Sequence, residues 1–239
     1  MKKIICGLMV STLLISIAGE TVVFGKTRRK RSSVSRREER IMEKVKEDIK
    51  EDGKFDVYTD KMSRKNHYIP SGYMGDYGDI KVNDRHQEQP RSGKTCIRIE
   101  YKTDMSQGAG WAGIYWQNPA NNWGNRKGGF NLNGAQRLTF WARGETGGEF
   151  ISEFKVGGIT GEYPDSDAVA INDIELTRNW KKYEIDLTDA DLTYISGGFC
   201  WAASLANNPD GFVIYLDDIV YDFTDSKRKP QRRTKTKQE

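Results

Sequence analysis

The chain has 239 residues, a mean hydropathy of −0.73 and a formal net charge of +4. Residues 55–223 hold 17 Lys and Arg against 24 Asp and Glu, so an acidic domain sits between basic flanks. An acidic domain lacks the phosphate-neutralising surface of a nucleic-acid reader, and two His with three Cys leave too few nitrogen and sulfur ligands for a zinc site.

Residues 1–25 read as a signal peptide. Lys2 and Lys3 precede an apolar run from Ile4 to Ile17 that is short for a membrane span, and the small residues Ser16 and Ala18 offer a cleavage site. An uncleaved signal anchor is the alternative. The expected location is secreted, periplasmic or on the cell surface. Export permits a disulfide between Cys96 and Cys200, and two separate buried thiols are the equal alternative.

Residues 26–54 form a charged linker. Its first part, 26–37, is too basic to bury a core and is expected to lack fixed structure. Over 38–52 strong helix formers carry Ile41, Val45 and Ile49 at every fourth place, with Met42 beside them. That pattern predicts a short helix with a thin apolar stripe, ended by Gly53.

From residue 55 the period changes to two. Ile97, Ile99 and Tyr101 alternate with Arg98 and Glu100. Leu138, Phe140 and Ala142 alternate with Thr139, Trp141 and Arg143, and Phe150, Ser152, Phe154 and Val156 with Ile151, Glu153 and Lys155. Tyr183, Ile185 and Leu187 share a face, as do Phe199, Trp201 and Ala203, and then Phe212, Ile214 and Leu216. Turn signals such as GETGG at 144–148 and NNPDG at 207–211 separate the runs. Short alternating strands without a long helical pattern predict an all-β fold over 55–223, an antiparallel β-sandwich or barrel with one wet face per sheet. Residues 224–239 are a basic tail expected to be disordered. The expected assembly is a monomer, and the basic arms are free to contact an anionic envelope polymer.

The chain shows no nucleophile elbow, phosphate loop, dinucleotide fingerprint or C-x-x-C. Its informative feature is where aromatic and amide residues fall together. Residues 110–124 read GWAGIYWQNPANNWG. The apolar C–H face of a sugar stacks on a flat ring, and its hydroxyls need paired donors and acceptors. Trp111, Tyr115 and Trp123 are therefore candidate platforms, with Asn121 and Asn122 as hydrogen-bonding partners. Trp116 shares parity with Ile114 and reads as core. On the predicted wet faces, Trp141 is a further platform, and Arg143 and Lys155 are partners for hydroxyls or uronate carboxylates. These meet Glu153 on one surface if the strands at 137–144 and 150–157 are neighbours. Tyr163, in the loop 161–167, is a rim candidate. A salt-bridge lattice on a solvated sheet is the alternative for Arg143, Glu153 and Lys155.

Asp217 and Asp218 near the C-terminal strand end, with Asp56 and Asp60 at the first strand, are candidate ligands for a structural calcium that ties the chain ends together. Adjacent strand residues point to opposite faces, so only one of the pair points inward unless a bulge intervenes. Asp76 and Asp79 make a second, weaker calcium or ligand loop.

Three motifs follow in order: LTFWARG at 138–144, WKKYEIDL at 180–187 and FVIYLDDI at 212–219. They resemble galactose-binding-like jelly-roll domains, above all carbohydrate-binding modules of the β-glucan-binding family 11 type. The resemblance covers about 55–223. It implies a jelly-roll sandwich, often with structural calcium near the chain ends to which Asp217 or Asp218 would contribute, and sugar binding on the concave sheet or at loops. The function expected is non-catalytic polysaccharide binding. A structural or adhesion protein of the envelope and a polysaccharide hydrolase or lyase are the alternatives.

Overall fold

The computed structural model describes residues 33–224. The segment read as a signal peptide, the start of the linker and the tail beyond Thr224 lie outside the described residues. In chain order the elements are α1 (Ser33–Asp52), β1 (Lys54–Tyr58), β2 (Ile69–Gly75), a 3-10 turn (Tyr77–Asp79), β3 (Ile80–His86), β4 (Cys96–Tyr101), β5 (Trp111–Gln117), β6 (Arg137–Gly144), β7 (Phe150–Gly157), β8 (Ala168–Glu175), β9 (Lys181–Asp186), β10 (Gly197–Ser204) and β11 (Phe212–Asp222). None of the described helices is long and apolar enough to cross a membrane.

The helix begins at Ser33, so residues 33–37, expected to lack structure, are helical. Arg is a good helix former, and Ser suits the first positions. Val45 is buried in the core, with Met42 and Ile49 packed at its margin. Burying one valine contributes about 1.5–3 kcal/mol, which fixes the helix to the sandwich. The side chain of Ile41 is outside the described set. Gly53 closes the helix at φ +69°, donating its N–H to the Ile49 carbonyl, and a side chain there would press on Thr224.

Two antiparallel sheets face each other. One has six strands, in the order β3-β4-β11-β6-β9, with β1 continuing the β4 edge of β11. The other has five, in the order β2-β5-β10-β7-β8. The core between them is aromatic. Phe140 of the first sheet lies 4.6 Å from Phe154 and 5.1 Å from Phe199 of the second, centroid to centroid. Offset and tilted rings at such distances add to the burial of their area.

The alternating runs of β4, β6, β9, β10 and β11 put their predicted apolar faces into this core. Strands β2, β3 and β8 were not among those runs. All three are sheet edges. An edge strand buries less of itself and tolerates polar residues, Gly and Pro, as Pro70 and Gly72 in β2 show.

Two parities differ from expectation. Ile151, placed opposite Phe154 by alternation, is buried in the same core, so β7 switches face between 151 and 154. In β11, Ile214 and Leu216 point inward and so do Ile219 and Tyr221. The register with β6 shifts between Asp217 and Val220, and Asp218 has φ +47°. This bulge turns both acids to the outer side of the sheet. Cys96 and Cys200 are free, buried and on different sheets, which matches the two-thiol alternative.

Candidate functional site

Strand β5 divides its residues between two environments. Ala112, Ile114 and Trp116 enter the core, which leaves Trp111, Gly113 and Tyr115 on the outer face of the five-stranded sheet. Residues paired directly across strands present their side chains to the same face. Register therefore sets out this surface in rows. One row reads Gly72, Tyr115, Cys200, Lys155 and Ala170, and the next Met74, Gly113, Ala202, Glu153 and Asn172. Beyond them Trp111 pairs with Ser204.

Small residues make the middle of this face low. A Cβ on Gly113 would come within 2.6 Å of the Trp201 carbonyl oxygen, so only glycine keeps both the strand and the floor. The result is a hollow of about 270 Å3 lined by Trp111, Ser152, Glu153, Asn172, Ala202 and Ser204. Trp111 borders this hollow with 40 % of its surface exposed, and Trp123, 43 % exposed, stands outside it over Tyr115.

Each indole is held by its approach loop. Asp76 is fully buried and accepts N–H bonds from Gln107, Ala109 and Gly110 at 3.0, 2.9 and 2.7 Å. Burial pushes its carboxyl up, but these donors outweigh burial and hold it below the usual carboxylate range. Asp79 accepts from the backbone and hydroxyl of Ser106. The acid pair flagged as a second calcium or ligand loop thus anchors the segment that delivers Trp111. At the other end, Tyr163 donates its backbone N–H to the Gly124 carbonyl, tying its loop to the one bearing Trp123. Trp123 meets Tyr115 edge-on, at 5.9 Å and 86°.

Between the indoles, Lys155 donates to Glu153 at 2.7 Å and lies 5.5 Å from the Tyr115 ring centroid. Burial pushes the Tyr115 phenol and the Cys200 thiol up, so both stay protonated, and Tyr115 donates to the Gly157 carbonyl.

The structure therefore brings Trp111, Trp123 and Lys155 onto one face, with exposed Asn121 and half-buried Tyr163 in the loops at the Trp123 end, whereas Tyr115, on the same side, is buried beneath Trp123 and Lys155 and offers no open platform. Asn122 is different. It is fully buried, its carbonyl oxygens accepting from Gln117 and Gly124, and it serves the loop rather than a ligand. Asn172, Ser152 and Ser204 were missed, because only strand register reveals their place.

Trp141 and Arg143 are not on this face. Strands β6 and β7 lie in opposite sheets because the connection between them crosses the sandwich. Arg143 is nearly buried, its guanidinium 3.7 Å from the Tyr215 centroid and 5.4 Å from that of Trp180, with Glu145 at 3.8 Å. Arg143 therefore forms no lattice with Glu153 and Lys155, which pair with each other on the opposite sheet. Arg91 lies 3.9 Å from the Trp141 ring centroid.

Of the four acids assigned to calcium, Asp56 and Asp218 border one groove, while Asp60 and Asp217 accept from backbone N–H groups. Among the described residues no group of three or more His, Cys, Asp and Glu is placed to hold a metal. Asp60 accepts from the backbone of Lys94 and Thr95 at 2.9 and 2.8 Å. Burial raises its carboxyl, but these bonds prevail and hold it low. Asp217 is fully buried and accepts from the N–H groups of Arg91, Ser92 and Asp218. Calcium takes six to eight oxygen ligands, and here the carboxylate oxygens already face backbone donors. Burial first, then the neighbouring Asp218 charge, pushes Asp217 up to about 7, against those donors.

No family model matches the sequence, and no curated protein matches it. Solved structures do. A family 30 carbohydrate-binding module aligns at TM-score 0.50 and 17 % identity, covering 74 % of this chain and 91 % of that one. The family 30 module of a Clostridium thermocellum cellulosomal cellulase aligns at TM-score 0.50 and 16 % identity, covering 73 % and 99 %. The family 11 module of another cellulase of that organism aligns at TM-score 0.43 and 16 % identity, covering 72 % and 95 %. The likeness to the family 30 modules is one of fold: this chain has the two-sheet antiparallel β-sandwich of those modules.

Proposed function

We propose that this chain is a non-catalytic carbohydrate-binding module whose polysaccharide ligand lies on the outer face of the five-stranded sheet, between Trp111 and Trp123. One observation carries the reading: two exposed indoles, Trp111 and Trp123, stand on the same side of this sheet, and Trp111 borders a hollow lined by Ala202, Glu153 and Asn172. Trp123 packs on Tyr115, which lies four residues and roughly 13 Å along β5 from Trp111, so the two indoles are spaced for more than one sugar unit. Indole faces stack on the C–H surfaces of the rings, and Lys155, Glu153 and Asn172 supply donors and acceptors for hydroxyls. The fold shared with family 30 modules supports the same reading.

Binding is favoured over hydrolysis by the acids present. Hydrolysis of a glycosidic bond ordinarily needs two carboxyl groups flanking it. Glu153 is the one acid lining the hollow, and it is bound to Lys155. Export through the apolar N-terminal segment is part of the proposal, since a polysaccharide binder acts where the polymer is. The test is migration of the full chain in native gels containing neutral β-glucan, mannan, xylan and pectate. Retardation by one or more polymers, lost in Trp123→Ala, supports the reading. Unretarded migration of folded protein in all of them refutes it and favours an adhesion or structural role.

A further inference from the structure

The outer face of the six-stranded sheet carries a separate groove of about 470 Å3. Strand register builds it. Thr139 pairs with Val220 and Val220 with Asp56, making the floor, while Trp141, one step along β6 and paired with Lys182, makes a wall. Lys54 joins the rim. Arg91 lies over one face of the Trp141 ring, 3.9 Å from its centroid, and does not line the groove, so the indole is fixed with its other face toward the groove.

Some of the polar groups lining this groove are paired and others are not. Asp60, Asp76 and Asp217 each accept from backbone N–H groups. At the groove margin Asp52 pairs with Lys65, and Asp218 accepts from Ser92. The side chains of Asp56, Thr139, Lys54 and Lys182 make no hydrogen bond or ion pair with any described residue. Burial pushes the Asp56 carboxyl up to about 6, the mark of a half-buried acid without a donor.

We propose that this groove is a second saccharide-binding site, independent of the Trp111 face, that takes an uncharged pyranose unit stacked on Trp141. An indole wall beside unpaired acceptors and donors is what a sugar ring requires, its C–H face on the ring and its hydroxyls on Asp56, Thr139 and Lys182. The charges argue for a neutral ligand. Four Asp and three Lys line the groove, so an anion meets the acids and a cation meets the lysines. With a site on each sheet, one molecule holds two glycan segments on opposite sides and is able to bridge polymer chains.

The test follows the indole N–H resonances of the full chain during titration with millimolar cellohexaose, mannohexaose and xylohexaose. Trp111→Phe and Trp141→Phe assign two of the six tryptophans. The expected result is a Trp141 resonance that moves with its own saturation curve for at least one probe, in the wild type and in Trp111→Ala alike. Asp56→Ala, which spares the indole and its Arg91 contact, weakens that curve by about tenfold and leaves any Trp111 curve unchanged. A Trp141 resonance that stays fixed with every probe overturns the second site, and so does one whose movement vanishes in Trp111→Ala. A fixed Trp111 resonance beside a moving Trp141 would instead overturn the first face and spare this one.

Discussion

Replacing Trp111 by Ala is the sharpest perturbation of the proposed face. The side chain offers 40 % of its surface to solvent. A tryptophan presents up to about 250 Å2, so a bound sugar covers at most about 100 Å2 of it. At about 25 cal/mol per Å2 this comes to about 2.5 kcal/mol, or roughly 70-fold in Kd. The rest of the ring is packed on the protein, so its removal also lowers folding stability, by up to about 4 kcal/mol on the same measure. Trp111→Ala, compared under conditions where it is folded, should therefore bind the retarding polymer about ten- to 70-fold more weakly by calorimetry. Full affinity in the folded variant would show that no ligand rests on this indole.

Other perturbations test the frame around the face. Asp217 is held protonated up to about 7, above the 3.8 of an unperturbed Asp. A raised carboxyl binds its proton more tightly in the native state, so its contribution is full below about pH 4 and is lost as pH rises through about 7. The shift corresponds to about 4 kcal/mol, and Asp56 acts in the same direction. Urea denaturation should show wild-type stability falling across that window and a flatter profile in Asp217→Asn. A flat wild-type profile contradicts this. Asp165 accepts from Ile159 N, Ser196 N and Gly197 N, and from the Ser196 hydroxyl. Asp165→Ala should cost about 2–3 kcal/mol and weaken glycan binding through the 159–165 loop that meets the Trp123 segment; unchanged denaturation would refute the anchoring role. Chelator should leave the thermal midpoint in place, because backbone N–H groups already satisfy Asp60 and Asp217. A fall on chelation would restore the calcium expectation.

Much of the fold is legible in residue order because most strands bury one face. Ile97, Ile99 and Tyr101, or Tyr183, Ile185 and Leu187, declare a strand and its inner side by alternation alone. The same parity separates core Trp116 from outward Trp111 and Tyr115 on one strand. Edge strands are harder, since β2 and β8 bury too little to enforce alternation. Bulges are harder still: the extra residue in β11 turns Asp217 and Asp218 to one side, where regular parity opposes them.

Strand order is what residue order does not carry. Trp141 and Lys155 follow each other closely in sequence yet face opposite ways, because β6 pairs with β11 and β7 with β10. Those partners are more than forty residues further on. Asn172 and Ser204 join the site by the same long-range register, and nothing local marks them. Amide side chains near aromatics were a fair signal for a glycan face, but Asn122 shows its limit. A buried amide that caps its own loop has the same local sequence as one that reaches a ligand.

The most direct test of the binding face is a map of backbone amide shifts in the full chain on titration with a hexasaccharide of whichever polymer retards it. Binding on the five-stranded sheet predicts the largest shifts at Gly113, Glu153, Asn172 and Ala202, fading toward β4 and β9. Shifts confined to the loops or to the six-stranded sheet, with those four amides unmoved, would contradict it.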